Sequence, residues 1–252
     1  MLVAFGATDK GRVRPINEDC FAIHEELGLC VIADGMGGHN AGEVASRLAV
    51  ETVVGVIRDR RTIAPHPFGV DPSLSDEGNL LRTAVLLANG HILERATTAE
   101  HYAGMGTTVV VTRVTDSRLT IAHVGDSRLY LFDGQALRQV TRDDSWVATV
   151  LATDPKADPL LLQHHPMRNA LTNVVGARPF TEVHVVEETL AGGELLLLTT
   201  DGVHGVLDDE RIAALMREED QPRELAERVV TAALTRGSRD NCTAIVAKYN
   251  SR

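Results

Sequence analysis

Two apolar runs in this chain end at an Asp-Gly pair: Leu29 to Ala33 before Asp34-Gly35, and Leu195 to Thr200 before Asp201-Gly202. Four to six consecutive apolar or β-branched residues closed by a turn signal read as a buried strand, so each aspartate is expected where a rigid strand meets a loop. A third acidic residue, Asp240, stands with Asn241 at the mouth of another such run, Cys242 to Ala247. Three carboxylates at strand ends, far apart in sequence, suit a dinuclear site for hard divalent cations if the strands converge. Gly35 and Gly202 carry no Cβ, so the backbone there can turn sharply and a carbonyl can approach a ligand. Near the N-terminus, Arg14-Pro15-Ile16-Asn17-Glu18-Asp19 sets a guanidinium just ahead of two adjacent carboxylates. With Glu18 and Asp19 beside the metals, Arg14 is placed to hold a phosphoryl group bidentately.

These residues need a scaffold, and the periodicity supplies one. From Gly42 to Arg58, apolar residues at 44, 45, 48, 49, 53, 56 and 57 have helical spacing, and Leu81, Ala84, Val85, Ala88 and Ile92 repeat it. Residues 59 to 76, with Pro65, Pro67, Gly69 and Pro72, read as a surface connection. Thr107 to Val114, Leu119 to Val124 and Leu129 to Phe132 read as strands of an antiparallel meander, with Gly125-Asp126 as one of its turns. Thr107 and Thr108 are most simply strand residues. The stretch from Arg142 to Val175 carries Pro155, Pro159 and Pro166 and has weak periodicity, as expected of a flap. Helices near Asp209 to Met216 and Pro222 to Leu234 precede the last strand. Helices in pairs and strands in blocks indicate an α+β fold, expected as one domain over 1–252.

Composition limits the possible functions. A net charge of −10 argues against a nucleic-acid footprint, and the same charge repels phosphate unless bound cations invert the local potential. The apolar runs are too short to span a bilayer, so no membrane partner is expected. Cys20, Cys30 and Cys242 lack metal-ligand spacing and suit packing in a reducing, cytoplasmic compartment.

Taken in order, Arg14-x-x-Asn17-Glu18-Asp19, Asp34-Gly35-Met36-Gly37-Gly38, Gly106-Thr107-Thr108, Gly125-Asp126-Ser127-Arg128, Asp201-Gly202 and Asp240-Asn241 resemble the type 2C metal-dependent Ser/Thr protein phosphatases. Asp143 to Val147 and His165 to Thr172 resemble stretches of the short bacterial members. The resemblance implies a four-layer αββα sandwich, two central antiparallel sheets flanked by helix pairs. It implies that Asp34 bridges two Mn²⁺ or Mg²⁺ ions, with the Gly35 carbonyl on one of them. Asp201 and Asp240 would complete the second ion, Glu18 and Asp19 would order water at the metals, and Asp126 with Asp201 would hold a third, more labile ion. A water activated by the two cations would attack phosphorus in line, with Arg14 on the equatorial oxygens. Met36 stands where some relatives carry a histidine acid, so proton donation would fall to water at the metals or to His39. Asp144 and Asn173 stand where relatives often have histidine and arginine, which bears on substrate preference. The expected substrates are phosphoproteins, with a Ser/Thr kinase as partner and a monomeric enzyme. The alternative is a catalytically weak phosphoprotein-binding module of the same fold.

Overall fold

The computed structural model describes residues 1–38, 41–59, 67–154, 156–158, 161–162 and 165–251. His39, and much of the proline-bearing connection after residue 59, lie outside the described residues. Among the described residues the strands form two sheets, and every pairing between named strands is antiparallel. The first sheet runs β1 (Leu2–Asp9), β11 (Cys242–Tyr249), β10 (Leu195–Thr199), β7 (Arg128–Phe132) and β8 (Leu137–Gln139). The second runs β2 (Asp19–His24), β3 (Leu29–Met36), β5 (Val109–Thr115), β6 (Arg118–Val124) and β9 (His184–Thr189), with the short β4 (Gly106–Thr107) paired to β3.

The uninterrupted apolar runs follow from burial on both faces. Along β3, Leu29, Val31 and Ala33 meet the helices α1 (Ala41–Arg58) and α2 (Asp76–Ala96), while Cys30 and Ile32 point the other way into the space between the sheets. Along β10, Leu196 and Leu198 join that inter-sheet core. Leu195 and Leu197 instead face the helices α5 (Asp209–Glu218) and α6 (Pro222–Thr235). Strand side chains alternate between faces, so a middle layer needs apolar residues at every position. Three apolar layers between four layers of secondary structure make the αββα sandwich.

Local signals start the helices. Ser75 accepts a hydrogen bond from the Gly78 N–H at the head of α2, Asp208 accepts one from Arg211 at the head of α5, and Pro222 opens α6.

Three expectations require correction. The strands from 107 to 132 are not one meander, because β7 leaves β6 and joins the opposite sheet beside β10. Gly125-Asp126-Ser127 is therefore a crossover between sheets rather than a hairpin turn. The strand expected from Thr107 breaks at Thr108, whose backbone N–H donates to the Asp34 carbonyl at 2.9 Å. Asp201-Gly202 does not open a loop but starts a one-turn helix, α4 (Asp201–His204). Within the stretch expected as a flap, Trp146–Thr153 forms a helix, α3, capped by the Ser145 hydroxyl.

Candidate metal centre

Asp34 lies inside β3, which runs on through Gly35 to Met36 rather than stopping at the aspartate as expected, and its neighbours frame it. Its N–H donates to Thr108 Oγ1 at 3.0 Å, and its carbonyl accepts from Thr107 Oγ1 at 2.8 Å. Thr108 Oγ1 also lies 2.7 Å from Ser127 Oγ, which ties the β3 end to the residue after Asp126. The next N–H, of Gly35, donates to the Glu18 carbonyl at 3.1 Å. A Cβ at Gly35 would stand 2.1 Å from the Gly42 carbonyl oxygen, so only glycine lets α1 approach this strand end.

Asp19 faces Asp34 directly across the β2–β3 pairing. One of its oxygens, Oδ2, accepts from Thr200 at 2.9 Å and Thr243 at 2.5 Å; the other, Oδ1, is buried without a partner among the described residues. The stretch before it is held by Asn241. The Asn241 amide accepts from the Glu18 N–H at 2.8 Å and donates to the carbonyls of Lys10 and Ile16, each at 2.9 Å. That fastens the Arg14 loop to the start of β11. Arg14 Nη2 in turn donates to Asp240 Oδ2 at 2.6 Å.

Asp201 reaches the same place from β10. Gly202 lets it do so, because a Cβ there would stand 1.9 Å from the Asn241 carbonyl oxygen. Close packing of α4 on β11, not a turn, is the reason for this glycine.

Arg14, Glu18, Asp34, Gly35, Asp126, Asp201 and Asp240 all line one cavity of about 500 Å³. Two larger grooves, of about 950 and 920 Å³, lie at the chain termini and between α5 and α6, but neither gathers these carboxylates. The cavity is strongly acidic. Burial, then the charges of Asp19, Asp201, Asp126 and Asp240, holds Asp34 well above the usual carboxylate range. Burial likewise pushes Asp19 and Asp126 up to about 7, helped in both by Asp201. Asp201 is raised by burial and Asp240, even though the Asp34 carboxyl is within hydrogen-bonding reach.

Two carboxyl groups in contact must share a proton or a cation. The buried Oδ1 atoms of Asp19 and Asp201 are both without partners among the described residues, which points to cations as the missing counter-charge. All the donors are oxygens, as hard divalent ions prefer. Among the described residues no three His, Cys, Asp or Glu side chains already form a closed cage for one ion.

The sequence pattern of the family described as Protein phosphatase 2C matches residues 12–236. The chain belongs to the protein phosphatase 2C family. Serine/threonine phosphatase stp of Listeria welshimeri is 31% identical over 248 residues, covering 96% of this chain and 94% of that protein. The crystal structure of the Mycobacterium tuberculosis serine/threonine phosphatase PstP/Ppp superposes with a TM-score of 0.85 at 32% identity, covering 99% of each chain. The catalytic domain of PstP in complex with two manganese ions superposes with a TM-score of 0.82 at 29% identity, over 98% of this chain and 97% of that one.

In this protein phosphatase 2C chain, sequence reasoning missed the roles of Thr107, Thr108, Thr200, Thr243 and Asn241. Each is a short polar residue inside or beside an apolar run, and that was the available signal. His123 and His204 behave as packing histidines. Burial lowers both, His123 to about 4, and His204 Nδ1 lies 2.9 Å from Thr199 Oγ1.

Proposed function

We propose that this chain, acting as one phosphatase domain with Mn²⁺ or Mg²⁺, hydrolyses phosphoserine and phosphothreonine on proteins, including those phosphorylated by a Ser/Thr kinase. The observation that carries this reading is the gathering of Asp34, Asp126, Asp201, Asp240 and Arg14 around one small cavity in a protein phosphatase 2C chain. In this reading Asp34, the Gly35 carbonyl, Asp201 and Asp240 would hold two such ions. Glu18 and Asp19 would order water beside them, and Asp126 with Asp201 would hold a third ion. When bound, such ions lower the pKa of water and offset phosphoryl charge, so that hydrolysis needs no phosphoenzyme.

The chain's own groups do the rest. Arg14 stands at the cavity edge, half exposed, and presents a planar fork of donors to the phosphoryl oxygens. Asp19, locked by two threonine hydroxyls, offers its bare Oδ1 as an acceptor of fixed direction. Ala170, Leu171 and Val174 give the cavity an apolar wall. Met36 lines it too and has no proton to donate.

The test is turnover of a phosphothreonine peptide by the purified chain with Mn²⁺. Activity should vanish with chelator and in Asp34→Ala and Asp201→Ala. Full activity in either variant would sink the assignment, and peptide binding without turnover in saturating Mn²⁺ would favour a binding module instead.

A further inference from the structure

Asp144 joins three stretches that are distant in sequence. Its N–H donates to the Gly125 carbonyl at 3.0 Å, and its Oδ2 accepts from the Gly125 N–H, also at 3.0 Å. The same Oδ2 accepts from Asn173 Nδ2 at 2.8 Å, and Oδ1 lies 2.9 Å from His184 Nε2. Its carbonyl accepts from the Thr172 N–H at 2.8 Å. The two sequence departures at 144 and 173 are thus bonded to each other.

What these bonds hold is the floor and one wall of the cavity. Gly125 has φ +95° and packs on Thr108, which frames Asp34, and it directly precedes Asp126. On the other side, Thr172 and Asn173 follow Ala170 and Leu171, which line the cavity. The base of the flap is closed by the Trp146 N–H on the Ala170 carbonyl at 2.8 Å and the Ser145–Leu171 bridge. Asn173 is itself oriented, donating to the Glu182 carbonyl and accepting from Thr181 Oγ1, each at 2.8 Å.

We infer that Asp144 is a positioning residue that pins the base of the flap to the Gly125–Asp126 crossover, so that the substrate-facing wall and the acidic floor keep one spacing. The charges around it suit that task. Burial raises Asp144, but the bonds from His184, Gly125 and Asn173 outweigh it and leave its carboxyl below the usual range. His184 is raised, first by its bond to Asp144; Glu182 adds to this, and burial and Arg142 oppose it. His123 lies beside it, with ring centroids 5.0 Å apart. Protonated or neutral, His184 can donate at Nε2, so the clamp holds across the working pH range.

The kinetic part of this inference rests on the phosphatase reading; the exchange part does not. In Asp144→Ala, KM for a phosphothreonine peptide should rise about tenfold while kcat changes less than about threefold, as expected for a displaced binding wall. Amide exchange in the metal-free full chain should speed up at Gly125 and at Thr172 together. Thr172 bonds to the Asp144 backbone, which the substitution leaves chemically intact, so its exchange reports coupling rather than a lost partner. Asp144→Asn separates positioning from mere packing. Its oxygen can serve Gly125 and Asn173 while its NH₂ faces His184, which can accept only when neutral. Thr172 protection in this variant should match the parent at about pH 8.5 and fall well below it at about pH 4.5, acidic enough to charge an imidazole that has lost the carboxylate that raised it. Unchanged KM and Thr172 protection in Asp144→Ala, or an asparagine variant that tracks alanine at both pH values, would overturn the inference. If the alanine variant does not fold, the pH split in the asparagine variant decides it. Absence of turnover by the parent chain would count against the phosphatase reading alone and leave the exchange result standing.

Discussion

Arg14 Nη2 lies 2.6 Å from Asp240 Oδ2, so the cation proposed for phosphoryl binding rests on a carboxylate proposed for the metals. The pair is open to solvent, with the side chains 48% and 33% exposed, and such pairs contribute only about 0–1 kcal/mol. Its importance is therefore chemical. Arg14→Ala should lower kcat/KM for a phosphothreonine peptide by at least about tenfold with almost no change in melting temperature. Arg14→Lys should recover part of the loss, because it restores charge but not the planar fork. A large fall in melting temperature with unchanged kcat/KM would reverse this ranking.

Thr108 is the frame of Asp34. Thr108→Val removes an acceptor from the part-buried Asp34 N–H and a partner from the buried Ser127 hydroxyl. Unfolding in urea should show a loss of about 1–3 kcal/mol. A drop in kcat should accompany it, and Thr108→Ser should restore both.

Glycines 202 and 90 should respond in opposite ways to alanine. At Gly202 the new Cβ would stand 1.9 Å from a backbone oxygen of Asn241, which cannot yield as a flexible side chain would. Gly202→Ala should cost at least about 3 kcal/mol of stability. Gly90 lies inside α2 with nothing within 4 Å of an added Cβ, so Gly90→Ala should stabilise by about 0.5–1 kcal/mol. Denaturant midpoints of the two variants settle the comparison.

The acidic floor should make metal-free stability depend on pH. Asp126 is pushed up to about 7 in the fold from an ordinary value of 3.8, by burial first and then Asp201. A native state that keeps a proton the unfolded chain has lost gives up that advantage as pH rises through the folded value. Ionised Asp126 is therefore a burden above pH 7 when no cation is present. Asp126→Asn should raise the metal-free melting temperature by several degrees at about pH 8 and much less at about pH 5. Saturating Mn²⁺ should then stabilise the parent more than the variant. Equal shifts at both pH values would exclude Asp126 as the titrating group.

The strands were legible because the middle layers are buried on both faces, whereas the two-sheet sandwich came only with the family resemblance. Leu195 to Leu198 is uninterrupted for that reason, and the acidic residue closing such a run had to lie at a sheet edge. The helices were legible because each lays one stripe on a sheet. The destination of β7 was not, since local periodicity carries no record of which sheet a strand joins, and the Gly125–Asp126 crossover was read as a hairpin turn. Thr107 and Thr108 looked like ordinary strand residues for a related reason. Their hydroxyls matter only because β4 folds back beside the end of β3.

Asp34, Asp201, Asp240, Arg14 and the order of the motifs were set by residue type and spacing alone, since a carboxylate that ends a buried run announces itself in one dimension. Which carboxylates share a cavity, which threonine holds which backbone group, and why Gly202 bears no side chain were decided only by tertiary structure. Those facts depend on contacts between residues tens to hundreds of positions apart, such as 74 between Asp34 and Thr108 and 226 between Arg14 and Asp240. The pairing of Asp144 with Asn173 and His184 belongs to the same class: the sequence marked the first two only as departures from relatives, and tertiary structure alone joins them to each other and to His184.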